Sequence, residues 1–155
     1  MKCGIGQDSH RFDFENKDKK LVIGGVTFEG EVGLKGNSDA DVVLHAITNA
    51  ISGVTLVNIL GDKADRMCES GITDSREYLK EALKHLNGQK VSHVSISIEC
   101  KRPKILPKVQ ELRESISKVM GISSSMIGIT ATTGEGLTAF GKGEGIQAFC
   151  IVSVS

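Results

Sequence analysis

Apolar and small polar side chains alternate between residues 91 and 99, and this alternation limits the fold more than any other feature. The apolar set of Val94, Ile96 and Ile98 falls on one face of an extended segment, and Ser95, Ser97 and Glu99 fall on the other. Such a segment is a half-buried β-strand. We therefore expect helices to cover only one face of its sheet, and the small polar face to be covered by water or by a second subunit.

The other periodic segments predict the order strand, hairpin, helix, helix, strand, helix, strand, strand. Strands are expected at residues 2–6, 21–23, 26–28, 127–131 and 146–153, and helices after Ser38, Asp74 and Pro107. Ser38-x-x-Asp41 has the form of a capping box for the first helix. Residues 58–73 mix glycine and charge without a period, which predicts a long loop that is poorly ordered without ligand. This order favours one domain over residues 1–155, an α/β (α+β) two-layer sandwich with a mixed sheet.

The charge balance argues against several functional classes. Lys plus Arg and Asp plus Glu both number 19, so no net field attracts nucleic acid or an anionic membrane. No apolar run approaches the roughly 20 residues of a membrane span, and the N-terminus lacks a signal-peptide core. We therefore expect a cytoplasmic protein that binds neither nucleic acid nor membrane. The four scattered cysteines never form Cys-x-x-Cys, which favours free thiols.

Asp8, His10 and His45 are candidate metal ligands. Asp8 and His10 are two residues apart on an extended segment, so their side chains project from the same side. His45 lies on the helix expected to pack against that strand. Two imidazoles and one carboxylate suit zinc with its fourth position open to a substrate oxygen. The alternatives are an exposed strand-end role for His10 and, for His45, burial with a hydrogen bond to Asp41.

Two further clusters, the second made of two neighbouring segments, contain groups that can bind phosphate. Residues 101–107 place lysine, arginine and free backbone N–H groups between a strand and a helix. The alternative is a solvated loop with a proline in the first helical turn. Residues 130–136 and 141–145 combine hydroxyls, carboxylates and glycines, which suit Mg²⁺ and a close approach to phosphate. They are also typical of an ordinary glycine-rich turn.

Six motifs occur in order over essentially the whole chain, and together they resemble the 2-C-methyl-D-erythritol 2,4-cyclodiphosphate synthase family. They are Asp8-Ser9-His10-Arg11-Phe12, Gly24-Gly25-Val26, Asn37-Ser38-Asp39-Ala40-Asp41-Val42-Val43-Leu44-His45-Ala46, Thr73-Asp74-Ser75-Arg76, Arg102-Pro103-Lys104-Ile105-Leu106-Pro107 and Thr130-Ala131-Thr132-Thr133-Gly134-Glu135-Gly136-Leu137. The resemblance implies a homotrimer with active sites between subunits, acting in the non-mevalonate isoprenoid pathway. It further implies a cytidine diphosphate substrate, whose own 2-phosphate attacks its β-phosphorus and releases CMP.

The resemblance also implies roles for individual residues. Asp8, His10 and His45 match the ligands of one zinc per subunit, and Glu135 matches the ligand of Mg²⁺ or Mn²⁺. Glu135, Thr133 and Ser38 match catalytic positions. The residues that match the surroundings of the substrate and its nucleotide are Asp8, His10, Asn37, Ser38, Gly61, Cys100, Lys104, Ile105, Leu106, Ala131, Thr132, Thr133 and Lys142.

The chain departs from the family pattern at several positions. Asn37 stands where histidine is usual, and Lys142 stands where arginine is common, near the expected trimer axis. Residues 58–61 lack the carboxylate that would reach the ribose. Asp62 or Asp65 is expected to replace it, and the sequence does not choose between them.

Two other functions would use the same residues. One is a non-catalytic trimer that keeps the zinc site and nucleotide pocket, and the other is a zinc phosphoesterase whose triad activates water. The first is disfavoured because all four metal-ligand matches are present. The second lacks an obvious general base beside the metal.

Overall fold

The computed structural model describes all 155 residues. Its strands are β1 (Lys2–Arg11), β2 (Leu21–Ile23), β3 (Val26–Phe28), β4 (Val91–Glu99), β5 (Ile127–Thr132) and β6 (Gly145–Val154), and its helices are α1 (Val42–Thr55), α2 (Asp62–Glu69), α3 (Ser75–Leu83) and α4 (Val109–Met120). None of these helices has the length and apolar character needed to cross a membrane. The expected mixed sheet and helical layer are confirmed, and one additional helix is present.

The four long strands form one mixed sheet in the order β1-β6-β4-β5, and β2 pairs with β3 in a separate hairpin. β6 is antiparallel to both neighbours, whereas β4 and β5 are parallel. The parallel pair follows from the α4 crossover between those strands. β1 extends five residues beyond the predicted end at Gly6, through Arg11, so Asp8 and His10 lie within a hydrogen-bonded strand.

Helix α1 packs very closely on β1 because two glycines of that strand carry no side chain. A Cβ on Gly4 would lie 2.0 Å from the Ala50 carbonyl oxygen, and one on Gly6 would lie 2.0 Å from that of Ala46. No larger residue fits without moving the helix. This close contact brings the N-terminal half of α1, including His45, against the end of β1.

The predicted capping box is wrong, because the N-cap of α1 is Asp41. Its buried carboxylate accepts hydrogen bonds from the N–H groups of Leu44, Gly24 and Gly25 at 3.0, 2.8 and 2.7 Å. The φ of Ala40 is positive, at 56°, so the helix cannot begin at Ser38. Burial raises the pKa of Asp41 to about 6, although the three N–H groups favour its charged form. Asp41 thus caps α1 and also joins it to the β2–β3 turn.

The predicted loop at residues 58–73 is also wrong, because its middle half, residues 62–69, forms α2. The helix is short and mostly polar, and Ala64 is its only buried residue. Its attachments to the domain are specific: Lys63 lies 2.5 Å from Glu81 of α3, and the Tyr78 hydroxyl donates to the Ile72 carbonyl. Too few apolar residues are present for a helical period to be visible in the sequence.

The second face of the sheet is bare in the single chain, and it is less polar than expected. β4 contributes the predicted exposed serines, but Ile5, Phe149 and Ile151 on β1 and β6 are 66%, 44% and 48% exposed. Ile5 and Ile151 are directly paired across the two strands. The prediction of a small polar face therefore holds for β4 but not for β1 and β6, which expose large apolar side chains.

Candidate active site

The end of β1 and the first turn of α1 bring Asp8, His10 and His45 together, as the spacing predicted. Oδ2 of Asp8 lies 3.0 Å from Nε2 of His10 and 3.0 Å from Nδ1 of His45. One ligand atom from each residue falls within 4.8 Å of the other two. Three donor atoms this close together can bind a single divalent cation.

Each imidazole is oriented by a hydrogen bond from its other nitrogen. Nδ1 of His10 lies 2.7 Å from the Lys35 carbonyl oxygen, so it must donate, and this leaves the lone pair on Nε2. Nε2 of His45 lies 2.8 Å from Oγ of buried Ser75, whose hydroxyl donates to Asp39. Ser75 therefore accepts from His45, which leaves the lone pair on Nδ1. Both free nitrogens face Asp8, the arrangement that metal-binding histidines require.

The electrostatics of the triad also suit a cation. Burial raises the pKa of Asp8, but the two neighbouring imidazoles outweigh it and hold that pKa below its usual value. The interaction with Asp8 raises the pKa of His10 against its burial. Nε2 of His10 is buried and has no hydrogen-bond partner of acceptable geometry. A zinc ion would satisfy that nitrogen and the concentrated negative charge of Asp8.

The alternative interpretation of His45 is wrong, because the Asp41 side chain does not contact its ring. The only hydrogen bond between the two residues joins their backbones, where the N–H of His45 donates to the Asp41 carbonyl. The Asp41 carboxylate is occupied by the helix cap and by the hairpin turn. The ring of His45 is therefore held by Asp8 and Ser75 alone.

A cavity of about 270 Å³ opens beside the triad. The loop before α1 contributes Gly36, Asn37 and Ser38 to its wall, and α2 and its N-cap contribute Gly61, Ala64, Asp65 and Cys68. Asp62 is exposed and does not line this cavity. The structure thus brings Asp65, rather than Asp62, to the same space as the triad.

A second cavity, of about 330 Å³, lies where β4 and β5 end side by side. It brings together all seven residues expected around the nucleotide: Cys100, Lys104, Ile105, Leu106, Ala131, Thr132 and Thr133. Burial raises the pKa of the Cys100 thiol to about 11. Burial therefore favours the neutral thiol, which lies 3.6 Å from the Pro103 carbonyl oxygen.

Glu135 and Lys142 lie outside both cavities of the single chain. Glu135 occupies a turn that follows Thr133, with a left-handed φ of 53°. Lys142 lies in the next turn, where its N–H donates to the Thr138 carbonyl. The two cavities have no wall residue in common. Within one chain, therefore, the triad and the Thr133–Glu135 segment are not assembled into one site.

Sequence reasoning missed the residues that support the triad. Asp39 and Ser75 fall inside two of the quoted motifs, but their roles were not apparent because Ser75 acts through its contact with His45, and Asp39 acts through Ser75. Cys68, Leu60, Asn49 and Tyr78 also line the metal cavity. No pattern in the sequence singles them out, because they come from α1, α2, α3 and the loop before α2 and meet only when these elements pack together.

Comparison with known proteins gives a consistent result. The model of the YgbB family matches residues 1–155. The 2-C-methyl-D-erythritol 2,4-cyclodiphosphate synthase of Chlamydia felis is 53% identical, covering 99% of this chain and 88% of the relative, and that of Chlamydia caviae is 51% identical, covering 99% and 89%. A solved structure of such a synthase in a CDP-bound form superposes with a TM-score of 0.84 at 28% identity, covering 99% of this chain and all of the other. The Plasmodium vivax synthase gives a TM-score of 0.80 at 27% identity, covering 99% and 96%.

Proposed function

The chain belongs to the YgbB family, and from this premise we propose how its residues bring about the synthesis of 2-C-methyl-D-erythritol 2,4-cyclodiphosphate. The reaction belongs to non-mevalonate isoprenoid precursor biosynthesis. Its substrate is 4-diphosphocytidyl-2-C-methyl-D-erythritol 2-phosphate. An oxygen of the 2-phosphate bonds to the β-phosphorus, the bond from that phosphorus to the oxygen of the α-phosphate breaks, and CMP leaves. No water is consumed, so we propose that the enzyme is a lyase. We also propose that it is located in the cytoplasm.

The observation that carries this proposal is the Asp8, His10 and His45 triad, with both imidazoles oriented by their second nitrogens. These three residues would hold one zinc per subunit, and Glu135 would hold Mg²⁺ or Mn²⁺. When bound, the two ions supply positive charge that neutralises and orients phosphate oxygens. The nucleophile is already a phosphate and already tethered, so the chain needs little acid–base chemistry of its own.

The remaining residues position the two ends of the substrate. Asn37 and Ser38 line the triad cavity and would bind phosphate oxygens there. Lys104, Thr132 and Thr133 line the other cavity, which would hold the cytidine and its phosphates. Holding both ends bends the substrate so that the attacking oxygen and the leaving group are in line. Positioning of this kind supplies much of the rate enhancement in phosphoryl transfer.

We further propose a homotrimer in which each active site combines two subunits. The separation of the two cavities within one chain supports this arrangement, since a single substrate must reach both. The exposed apolar residues Ile5, Phe149 and Ile151 support it as well, because contact with another sheet would remove them from water. Glu135 and Lys142, which lie outside both cavities, would then face a neighbouring subunit.

Incubation of the zinc-loaded protein with the substrate, followed by separation of the products, tests the function. We expect cyclodiphosphate and CMP in equal amounts. An open-chain hydrolysis product would instead indicate a phosphoesterase. Binding of CDP without any product would indicate a non-catalytic nucleotide-binding protein, and either result would overturn the proposal.

A further inference from the structure

The loop at residues 35–38, which we call the strap, is held by side chains from three different elements. Three consecutive carbonyl oxygens each accept one hydrogen bond from a side chain. Nδ1 of His10 lies 2.7 Å from the carbonyl of Lys35, Nζ of Lys19 lies 2.7 Å from that of Gly36, and Sγ of Cys68 lies 3.3 Å from that of Asn37. All three carbonyls of this short loop are thereby fixed.

The strap begins at a firmly packed segment. The N–H of Lys35 donates to the Arg11 carbonyl at 2.8 Å, beside the bridge between Phe12 and Leu34. A Cβ on Gly33 would lie 2.5 Å from the Lys19 carbonyl oxygen, so the backbone of Lys19 rests directly on this segment. The Lys19 side chain therefore needs little rearrangement to reach Gly36.

The strap also rests on a candidate metal ligand. A Cβ on Gly36 would lie 3.4 Å from Cε1 of His10 and 3.0 Å from Cβ of Ala40. Gly36 is therefore in close contact with the His10 ring, and a displacement of the strap would alter the wall of the metal cavity.

The polar hydrogens of the strap, in contrast to its carbonyls, are free. The N–H groups of Gly36, Asn37 and Ser38 have no hydrogen-bond acceptor in the protein. Oγ of Ser38 accepts from the Ala40 N–H at 3.1 Å, which leaves its own hydrogen available to donate. These three residues line the cavity beside Asp8, His10 and His45. Successive free N–H groups of this kind bind anions.

We propose that Lys19 and Cys68 are positioning residues for the substrate phosphate. By fixing the carbonyls of Gly36 and Asn37, they hold the free N–H groups and the Ser38 hydroxyl in place before the substrate arrives. Donors placed in advance bind phosphate without the entropy cost of ordering a loop. The inference rests on the proposed function, because it assigns the strap to the phosphate that enters the triad cavity. It also gives α2 a role, since that helix carries Cys68.

The test compares Lys19→Met and Cys68→Ala with conservative and matched variants. Lys19→Arg and Cys68→Ser retain a donor, and Lys20→Met removes an exposed cation one residue away. We expect Lys19→Met to raise KM about tenfold and Cys68→Ala about threefold, each with kcat within about twofold of the wild type, since the loss is mainly in phosphate binding. The Arg and Ser variants should return to within about twofold of the wild-type KM, and Lys20→Met should not differ from the wild type.

A second measurement, the zinc content per subunit, separates a role in substrate binding from a role in folding or metal binding. We expect every variant to retain wild-type zinc and a wild-type melting temperature within about 2 °C, because surface substitutions rarely change stability by more than ~0.5 kcal/mol. Loss of zinc together with activity would overturn the inference, since the strap would then support His10 instead. Equal KM values for Lys19→Met and Lys20→Met would overturn it as well. A wild type that forms no cyclodiphosphate would instead reject the proposed function itself.

Discussion

At the residue scale, the candidate metal centre depends on how each histidine uses its two nitrogens. In both rings one nitrogen donates to a fixed oxygen, from Lys35 or Ser75, and the other faces Asp8. A neutral histidine has only one N–H, so these partners determine which nitrogen can bind a cation. The supporting residues are therefore as necessary to the site as the triad itself.

We predict that His45→Ala will lose its zinc and its turnover but retain its fold. The wild type should contain about one zinc per subunit, and two remaining ligands are too few for a stable open site. Metal analysis after dialysis checks this prediction. His93→Ala, which removes an exposed histidine from β4, is the control and should retain wild-type zinc. Equal zinc in the wild type and in His45→Ala would remove His45 from the metal site.

A second residue-scale prediction concerns Asp41. Asp41→Ala should lower the free energy of unfolding by about 2–4 kcal/mol, because it removes a helix cap and leaves buried N–H groups unsatisfied. Chemical denaturation measures this loss. Asp18→Ala, at an exposed position in the loop before β2, should change stability by less than ~0.5 kcal/mol. A comparable effect of the two substitutions would contradict the assigned role of Asp41.

At the element scale, α2 is the part of the molecule that sequence patterns did not predict. Together with its N-cap Gly61, it forms one wall of the cavity beside the triad through Ala64, Asp65 and Cys68. These positions recur at three or four residues, so they share one face of the helix. The helix thereby decides which of its two acidic residues near the N-terminus can approach a bound substrate.

We predict that Asp65→Asn will reduce kcat/KM by about tenfold, the loss expected when a substrate-facing carboxylate is removed, whereas Asp62→Asn will stay within about twofold. The two substitutions make the same chemical change on the same turn of α2, so each is the control for the other. Steady-state kinetics at saturating zinc distinguishes them. A larger loss for Asp62→Asn would reverse the assignment, and two small losses would make α2 a passive wall.

The attachment of α2 to α3 should make stability depend on pH. The Glu81 carboxylate lies between Lys63 and Lys84, at 2.5 and 2.9 Å, and these partners lower its pKa from 4.5 to about 2. Because the pKa is lowered by folding, the ion pairs stabilise the protein fully above 4.5, and this stabilisation disappears as the pH falls towards about 2.

We therefore expect Glu81→Gln to be less stable than the wild type by about 1 kcal/mol at pH 7, and the difference to vanish near the lower pKa. Denaturation curves at pH values between these limits would measure it. Glu77→Gln, which removes the exposed pair with Lys80 on the same helix, should have a smaller effect. A difference that stays constant with pH would exclude the ion pairs as its cause.

At the scale of the whole molecule, the bare face of the sheet is the main unsatisfied feature. Helices cover one face, and the other exposes Ile5, Phe149 and Ile151 along β1 and β6. Contiguous apolar residues on a sheet mark an interaction surface. A trimer that packs these faces together would cover them and would also bring the two cavities of different subunits together.

We predict a mass in solution of about three subunits, the closed assembly that the family resemblance implies. Ile151→Glu should shift the protein towards monomers, because it places a charge in the covered face, and should lose turnover while keeping its zinc. Light scattering coupled to gel filtration measures the mass. Leu56→Glu, at an exposed residue after α1, is the matched control and should remain a trimer. A wild type that is monomeric at micromolar concentration would reject the shared site.

The layers of the fold and the closeness of the three candidate metal ligands could both be predicted from sequence patterns. The apolar residues recur every second position in β4 and with a helical period in α1, and these periods indicate which side of each element is buried. The Asp-x-His spacing places two ligands on the same side of a strand. The contacts that support the site could not be predicted in this way. Ser75 contacts His45 although the two are 30 positions apart in the sequence, and Cys68 donates to the Asn37 carbonyl from 31 positions away. Such contacts leave no period in the sequence, because they depend on where whole elements pack, and α2 has too little buried surface to mark its own position.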